Sequence, residues 1–345
     1  MMKKLTNLFF FIAIGVFVSA GAESAFAQEA FYKGKTVRIV VGFSAGGGYD
    51  AYARVIARHM GKYIPGGPSV IVENMAGAGS MIAANHIYSA AKPDGLGIGH
   101  FSGGLFYQEL MGQQGVQFES RKYEYIGAPL QDNFVMGFSK ASGITSVEKW
   151  LAATTPVKVG GQAPGAANDD LPKILKATLG LPTQVVSGYK GSAEIRLAVN
   201  GGEVAGICNA WETLKSNWRK ELESDEFVVV LQLIPKPHPE LPKVPLAITY
   251  AKTDEARKLI QAGVHDYGAV ARPFVLAPGT PKDRVQILRK AFMDTMRDPE
   301  FLAEAKKAQL DISPVSGEEL GSIVNNIFKL DPPLVTKLKQ ALAVK

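Results

Sequence analysis

Cysteine is all but missing from this 345-residue chain, in which Cys208 stands alone. A single cysteine closes no internal disulfide, and one so deep in the chain offers no lipid attachment at an export cleavage point. Within Val204-Ala205-Gly206-Ile207-Cys208 it reads as a buried strand thiol. Long apolar runs are also scarce. The strongest, Leu8 to Val18, follows Lys3 and Lys4 and precedes Ala25-Phe26-Ala27. That is the layout of a cleavable secretory signal over residues 1–27, with cleavage near Ala27-Gln28. The run is shorter than the ~20 residues of a membrane span, and nothing downstream approaches that length. A soluble protein exported to a bacterial periplasm is therefore expected. The formal charge of +6 is spread singly along the chain. It lacks the basic stripe with interleaved aromatics that would mark a nucleic-acid partner, though a mild positive balance suits small anions. Five scattered histidines and the absence of a Walker lysine leave no metal or cofactor expected.

What the chain does have is a recurring strand, glycine-rich loop and helix. Val37-Arg38-Ile39-Val40-Val41 reads as a buried parallel strand. It feeds Gly42-Phe43-Ser44-Ala45-Gly46-Gly47-Gly48 and then a helix carrying Tyr52, Val55, Ile56, His59, Met60 and Tyr63 on one face, with Asp50 as its expected N-cap. A glycine loop entering a helix N-terminus is a ready anion site, because unpaired N–H groups and the helix dipole both favour negative charge. Similar units follow at Val70–Ser80, Gly97–Gly104, Val157–Asn168, Gln184–Ser192 and Val204–Trp211. Such alternation implies parallel sheets covered by helices, with ligands bound beyond the carboxyl ends of the strands. Three loops before residue 105 and three after residue 159 imply two α/β lobes facing one cleft. Tyr125 to Ser139 reads as a crossing strand pair and Ala271 to Pro278 as the return. This divides the chain into 28–131 plus 273–345 as lobe 1 and 132–272 as lobe 2. Helices over Lys282–Arg297, Pro299–Ala308 and Gly317–Leu330, with a last amphipathic stretch after Pro333, are expected to pack on lobe 1.

Several segments resemble the receptors of tripartite tricarboxylate transporters, the Bug-type extracytoplasmic solute receptors. They are Ser44-Ala45-Gly46-Gly47-Gly48-Tyr49-Asp50 with Ala53-Arg54, Glu73-Asn74-Met75-Ala76-Gly77-Ala78-Gly79, Lys92-Pro93-Asp94-Gly95, Gly188-Tyr189-Lys190-Gly191, Leu241-Pro242-Lys243-Val244-Pro245 and Leu276-Ala277-Pro278-Gly279-Thr280-Pro281. Their order and spacing cover essentially the whole exported chain. The resemblance implies a two-lobed periplasmic-binding-protein fold of the type II-like, Venus-flytrap kind, without catalytic activity or cofactor. It also implies that loop amides of lobe 1 hold a carboxylate of a small organic acid, which passes to a large and a small membrane subunit. A monomer is expected. The implied ligand-binding residues are Phe43, Ser44, Ala45, Gly46, Gly47 and Asp50, then Ala78, Gly79, Ser80, Ser102 and Gly103, and from lobe 2 Gln162, Ala163, Gly165, Tyr189 and Asn209. Departures occur in lobe 2. Gly160-Gly161-Gln162-Ala163 stands where relatives carry Gly-Ser-Ala-Gly, Asp169 where many have histidine, and Asn209 where many have aspartate.

Other readings compete for some of these residues. Gly42-Phe43-Ser44-Ala45-Gly46 matches a G-x-S-x-G nucleophile elbow, which would make Ser44 the nucleophile of a secreted serine hydrolase. An elbow normally follows several strands, whereas this one follows the first. His59 and His86 fall on apolar helix faces, leaving His100 as the histidine nearest the cleft. Asp169 and Asp170 read as carboxylates at a helix start. Arg54, Arg196 and Arg272 read as structural, yet any of them could pair a second carboxylate.

Overall fold

The computed structural model describes residues 31–343; the export signal and its cleavage point lie outside them. All six anticipated strands form. Thr36–Val41 (β1), Ser69–Asn74 (β2) and Gly97–His100 (β3) build the parallel part of one sheet. β1 lies between the other two, with Val41 level with Asn74 on one side and His100 on the other. The loops after all three strands therefore open at one sheet edge. Glu124–Ala128 (β4), Phe274–Leu276 (β10) and Val315–Ser316 (β11) extend this sheet antiparallel, giving the order β11-β4-β10-β3-β1-β2. The second sheet joins Phe134–Ser139 (β5), Val157–Gly160 (β6), Thr183–Val186 (β7), Gly206–Ala210 (β8) and Phe227–Gln232 (β9) in the order β7-β6-β8-β5-β9. Here β6 runs parallel to β7 and β8, and β5 antiparallel to β8 and β9.

β4 and β5 lie in different sheets, so the chain changes sheet across residues 129–133 and returns to β10 through residues 270–273. Helix Gly48–Met60 buries Tyr52, Val55, Ile56 and Met60 in a core completed by Leu288, Phe292 and Phe301 of the tail. In the second sheet, Ile195, Ile207, Leu214 and Trp218 form a comparable core. β9 was not anticipated, although Phe227-Val228-Val229-Val230-Leu231 carries the apolar signal of a buried strand. Among the described residues, no helix is long and apolar enough to cross a membrane.

The last helix departs from expectation. Gly317–Ile327 packs on β4 of the first sheet, but Pro332–Ala343 leaves it and packs on helices Ala167–Leu179 and Asp254–Ile260 beside the second. The reason is an apolar face that needs cover. Leu338 and Ala341 are buried, with Leu334, Val335 and Leu342 partly so. Leu338 lies over Gly263 and Ile174 so closely that a Cβ on Gly263 would stand 2.6 Å from Leu338 Cδ2 and 2.9 Å from Ile174 Cδ1. Leu338→Ala should therefore cost about 2–5 kcal/mol in a urea unfolding titration. A loss under about 0.5 kcal/mol would show that this helix does not belong to the cooperative core.

Candidate functional site

The six loops meet between the two sheets. Ser44 N donates to Lys190 O at 3.1 Å, and Gly46 O accepts from Asn217 Nδ2 at 2.8 Å. Gly79 lies on the Ala163 and Pro164 carbonyls, where a Cβ would stand 3.0 Å from each oxygen. Ser102 Oγ donates to Gly165 O at 2.6 Å. Thr213 sits so close to Gly48 that a Cβ there would lie 2.1 Å from Thr213 Oγ1, so only glycine lets this helix start approach the other lobe. The lobes are in contact, and the cavity enclosed between them measures ≈ 30 Å³. That is room for about two water molecules.

Phe43, Gly47, Gly48, Tyr49 and Ser102 line the cavity from the first lobe; Gln162, Asn168, Ser192, Asn209 and Thr213 line it from the second. Asp132 and Arg272, one on each crossing, complete the wall with Phe134, Ala167 and Cys208. Of the residues nominated from sequence, Phe43, Gly47, Ser102, Gln162 and Asn209 thus face the cavity. Ala45 and Gly46 are exposed. Ala78, Gly79 and Ser80 stand behind the wall in three successive left-handed conformations (φ +46°, +60° and +76°). For Ala78 and Ser80 this is strained backbone, of the sort that loops at functional sites retain. The Ser80 hydroxyl oxygen accepts from Ser102 N at 2.9 Å and so positions a lining residue. Gly103 packs on the return crossing, its N–H donating to Ala271 O at 3.2 Å. Ala163 packs against Gly79, and Gly165 O accepts from both Ser102 and Tyr267. The Tyr189 hydroxyl donates to Glu203 Oε1 at 2.6 Å, away from the cavity.

Asp50 corrects the capping expectation. The helix is capped by Gly47 without a side-chain bond, and Asp50 lies inside the first turn. From there Oδ2 accepts from Gly46 N at 2.9 Å and from Arg54 Nε at 2.8 Å, while Oδ1 accepts from Asn74 Nδ2 at 2.9 Å. Gly46 holds φ +83°, and the bond to Asp50 pins that left-handed turn. Asp170 does the same for the second lobe. Its Oδ2 accepts from Gly165 N at 2.9 Å and, across the cleft, from Gln108 Nε2 at 2.9 Å. Asp169 is spent on Lys173 and Ser187.

Arg272 is the buried cation of the site. Nε donates to Asp132 Oδ1 at 2.5 Å and Nη2 to Thr213 Oγ1 at 2.7 Å, and the guanidinium lies 4.8 Å from the ring centres of both Tyr49 and Tyr52. Burial disfavours its charge, yet the Asp132 carboxylate alongside lifts its pKa above the ordinary arginine range. His100 is stacked on Phe274 at 4.0 Å and buried. Burial drives its pKa down to about 3, so the ring is neutral and makes no anion contact through charge. Sequence reasoning read Arg272 first as structural, with pairing of a second carboxylate as the alternative, and missed Tyr49, Asp132, Asn168, Ser192 and Thr213. Their position depends on which loops meet, and no local pattern encodes that. Ser44 Oγ has no hydrogen-bond partner among the described residues, so no general base is in place for the hydrolase alternative.

Two α/β lobes joined by paired crossings, with strand-end loops closing on a polar cavity, define the periplasmic-binding-protein fold. The chain belongs to the tripartite tricarboxylate transporter receptor family, whose model matches residues 52–339. A UPF0065 protein of Agrobacterium vitis is 26% identical over 294 residues, covering 79% of this chain and 74% of that one. A second, from Cupriavidus necator, is 23% identical over 93% of each chain. Among solved structures, the periplasmic binding protein BugD superposes with a TM-score of 0.72 at 23% identity, covering 90% of this chain and 98% of that one. MatC from Rhodopseudomonas palustris, solved with malate, gives a TM-score of 0.70 at 18% identity, covering 89% and 99%. A further R. palustris protein, solved with adipate, gives 0.71 at 20%, covering 89% and 97%.

The two bracing aspartates titrate in opposite directions. Burial alone would raise the Asp50 pKa, but Arg54, Gly46 N–H and Asn74 hold it below the ordinary value. Its contribution is therefore complete above the unfolded aspartate pKa and fades as pH falls through the lower folded value. Asp50→Ala should lose about 1–3 kcal/mol of urea stability at neutral pH. The difference from wild type should shrink in acid; a gap that widens there would refute this. Burial, with Asp169 beside it, pushes Asp170 up to about 7. A raised carboxyl pKa makes the fold most stable while Asp170 is protonated. Stability should then fall as pH rises from ~4 to 7, by on the order of 2–4 kcal/mol, and level off above. Asp170→Asn should flatten that slope, and an unchanged pH profile would count against it.

Proposed function

We propose that this receptor closes its lobes on a small organic carboxylate in the periplasm and presents it to a tripartite membrane transporter, without catalysing any reaction on it. One observation carries the reading. Helices Gly48–Met60 and Ala167–Leu179, each of 13 residues, both begin at the cavity, where Gly47, Gly48, Ala167 and Asn168 form part of the wall. A helix start offers unpaired N–H groups and the positive end of a dipole, and two aimed at one cavity favour an anion. The first helix belongs to one lobe and the second to the other, so an anion bound between them is held best when the lobes are together. Malate and adipate in two relatives of the same fold agree with a carboxylate ligand.

Loading requires opening, because a cavity of ≈ 30 Å³ is smaller than such an acid. Residues 129–133 and 270–273 are the proposed hinges between lobe 1 (residues 31–131 plus 273–330) and lobe 2 (residues 132–272, with helix Pro332–Ala343 packed on it). The ligand shifts the equilibrium toward closure by its differential affinity for the closed state. The partners are a large and a small membrane subunit, and the receptor acts as a monomer.

A thermal-shift screen of the purified exported protein against mono-, di- and tricarboxylates tests the assignment. A ligand at 100 times its Kd should stabilise by about 2.7 kcal/mol. Carboxylates should raise Tm while neutral sugars leave it unchanged. A shift with sugars and none with any carboxylate would overturn the assignment.

A further inference from the structure

Buried polar atoms in folded proteins are nearly always paired, but one carboxylate at the junction of the lobes is only half served. Asp170 is 2% exposed. Its Oδ2 accepts from Gly165 N in its own lobe and from Gln108 Nε2, on helix Leu105–Leu110 of lobe 1. Its Oδ1 accepts from nothing among the described residues. The side chain borders a slot of ≈ 10 Å³ between Tyr107, Leu110 and Met111 of lobe 1, Ile174 and Gly263 of lobe 2, and Leu338 of the tail helix. That is room for one water at most. The hydroxyl of Tyr107 is also buried without a partner.

The surroundings offer an ionised Asp170 little compensation. On its own helix, Asp169 adds a second negative charge and the ammonium of Lys173 is bonded to Asp169. From the elements packed on that helix, Lys337 and Lys339 of the tail go to Glu255 and to Met111 O, Arg257 goes to Asp254, and Lys258 is exposed. Burial keeps Tyr267 and Cys208 uncharged.

We propose that closing the lobes takes up a proton at Asp170, so that the receptor binds its acid together with a proton. The inference rests on the closing-receptor reading above and adds a second bound species to it. With the lobes together, burial and Asp169 push the Asp170 pKa up to about 7. Opening carries Leu105–Leu110 away, breaks the Gln108 bond and lets water reach Oδ1. The group then returns toward the ordinary aspartate value near ~4. A pKa raised in the closed form favours closure in acid, and that bias fades as pH rises through ~7. By reciprocity, ligand binding draws protons in. Glu212 is another buried acid pushed up to about 7, but both its oxygens accept from Asn133 on the outgoing crossing itself, not from across the cleft.

The test is titration calorimetry of acetate, malate, succinate and adipate into the purified receptor. Runs at pH 7 in PIPES and in imidazole, which differ in ionisation enthalpy, count protons; runs at pH 6 and pH 8 follow affinity. For whichever acid binds, the heats should differ between buffers by the uptake of about half a proton, and Kd should rise about tenfold from pH 6 to pH 8. Asp170→Asn keeps the shape of the protonated acid and should lose both effects. Glu212→Gln should keep both, and it serves if Asp170→Asn fails to fold. Equal heats in the two buffers for the wild type overturn the proton inference while leaving a carboxylate receptor intact. So does uptake that survives Asp170→Asn or vanishes in Glu212→Gln. Failure of every acid to bind overturns both.

Discussion

The buried pair of Arg272 and Asp132 is the contact on which the two-lobed arrangement turns. Asp132 lies on the outgoing crossing between sheets and Arg272 on the return, so their 2.5 Å bond ties the two connections side by side. From the same guanidinium, Tyr49 and Tyr52 are reached in lobe 1 and Thr213 in lobe 2. Removing two charges from water is expensive, and such a pair rarely adds stability over a well-packed apolar alternative. Its retention here has a geometric payoff. An apolar residue at 272 could fill the space, but it could not grip one carboxylate, one hydroxyl and two ring faces. Losing Asp132 alone would leave the guanidinium buried and uncompensated, a cost of about 3–5 kcal/mol in comparable cases.

Around that centre, the loops are held in shape by acidic side chains that do not face the cavity. Asp50 and Asp170 occupy equivalent places in the two lobes, each inside the first turn of a helix and each accepting from the amide of a left-handed glycine upstream. A carboxylate pointing into the cavity would repel an acidic ligand. Turned back onto Gly46 or Gly165, it stiffens the loop and leaves the helix-start amides to face the cleft. The opposite pKa directions follow from the partners supplied. Asp50 has an arginine within bonding distance, whereas the hydrogen-bond donors to Asp170 are neutral and the aspartate beside it outweighs the nearby Lys173.

The strands were legible because buried parallel strands write themselves as runs such as Val37–Val41 and Val157–Val159, punctuated by glycine. The loops were legible as glycine-rich turns at the strand ends for the same local reason. Their division of labour was not. Phe43 and Ala45 are two residues apart in one loop, yet one lines the cavity and the other faces solvent. The resemblance implied Tyr189 as a ligand contact, but Glu203, fourteen residues on, takes its hydroxyl. Arg272 carried no sequence signal of burial. Its role emerges only when residue 132, on a different crossing, is brought against it. Local pattern predicts elements; the identity of side chains that meet across 140 residues of chain is a tertiary fact.

The course of the tail bears on the lobe motion proposed above. Opening must exchange the bonds from Ser44 to Lys190, Asn217 to Gly46, Ser102 to Gly165 and Gln108 to Asp170 for bonds to water. Each exchange costs about 0.5–1.5 kcal/mol, so these contacts add to any ligand-derived bias toward the closed form. Direction is a separate matter from cost. Because Gly317–Ile327 packs on β4 while Pro332–Ala343 packs on Ala167–Leu179 and Asp254–Ile260, the short segment between them is a third link joining the lobes. Lys339 Nζ also donates to Met111 O of lobe 1 at 3.0 Å. Two adjacent crossings alone would permit twisting as well as bending. A third link on the side of Tyr107 and Met111 leaves rotation that opens the cleft mouth as the motion that keeps the tail helix seated.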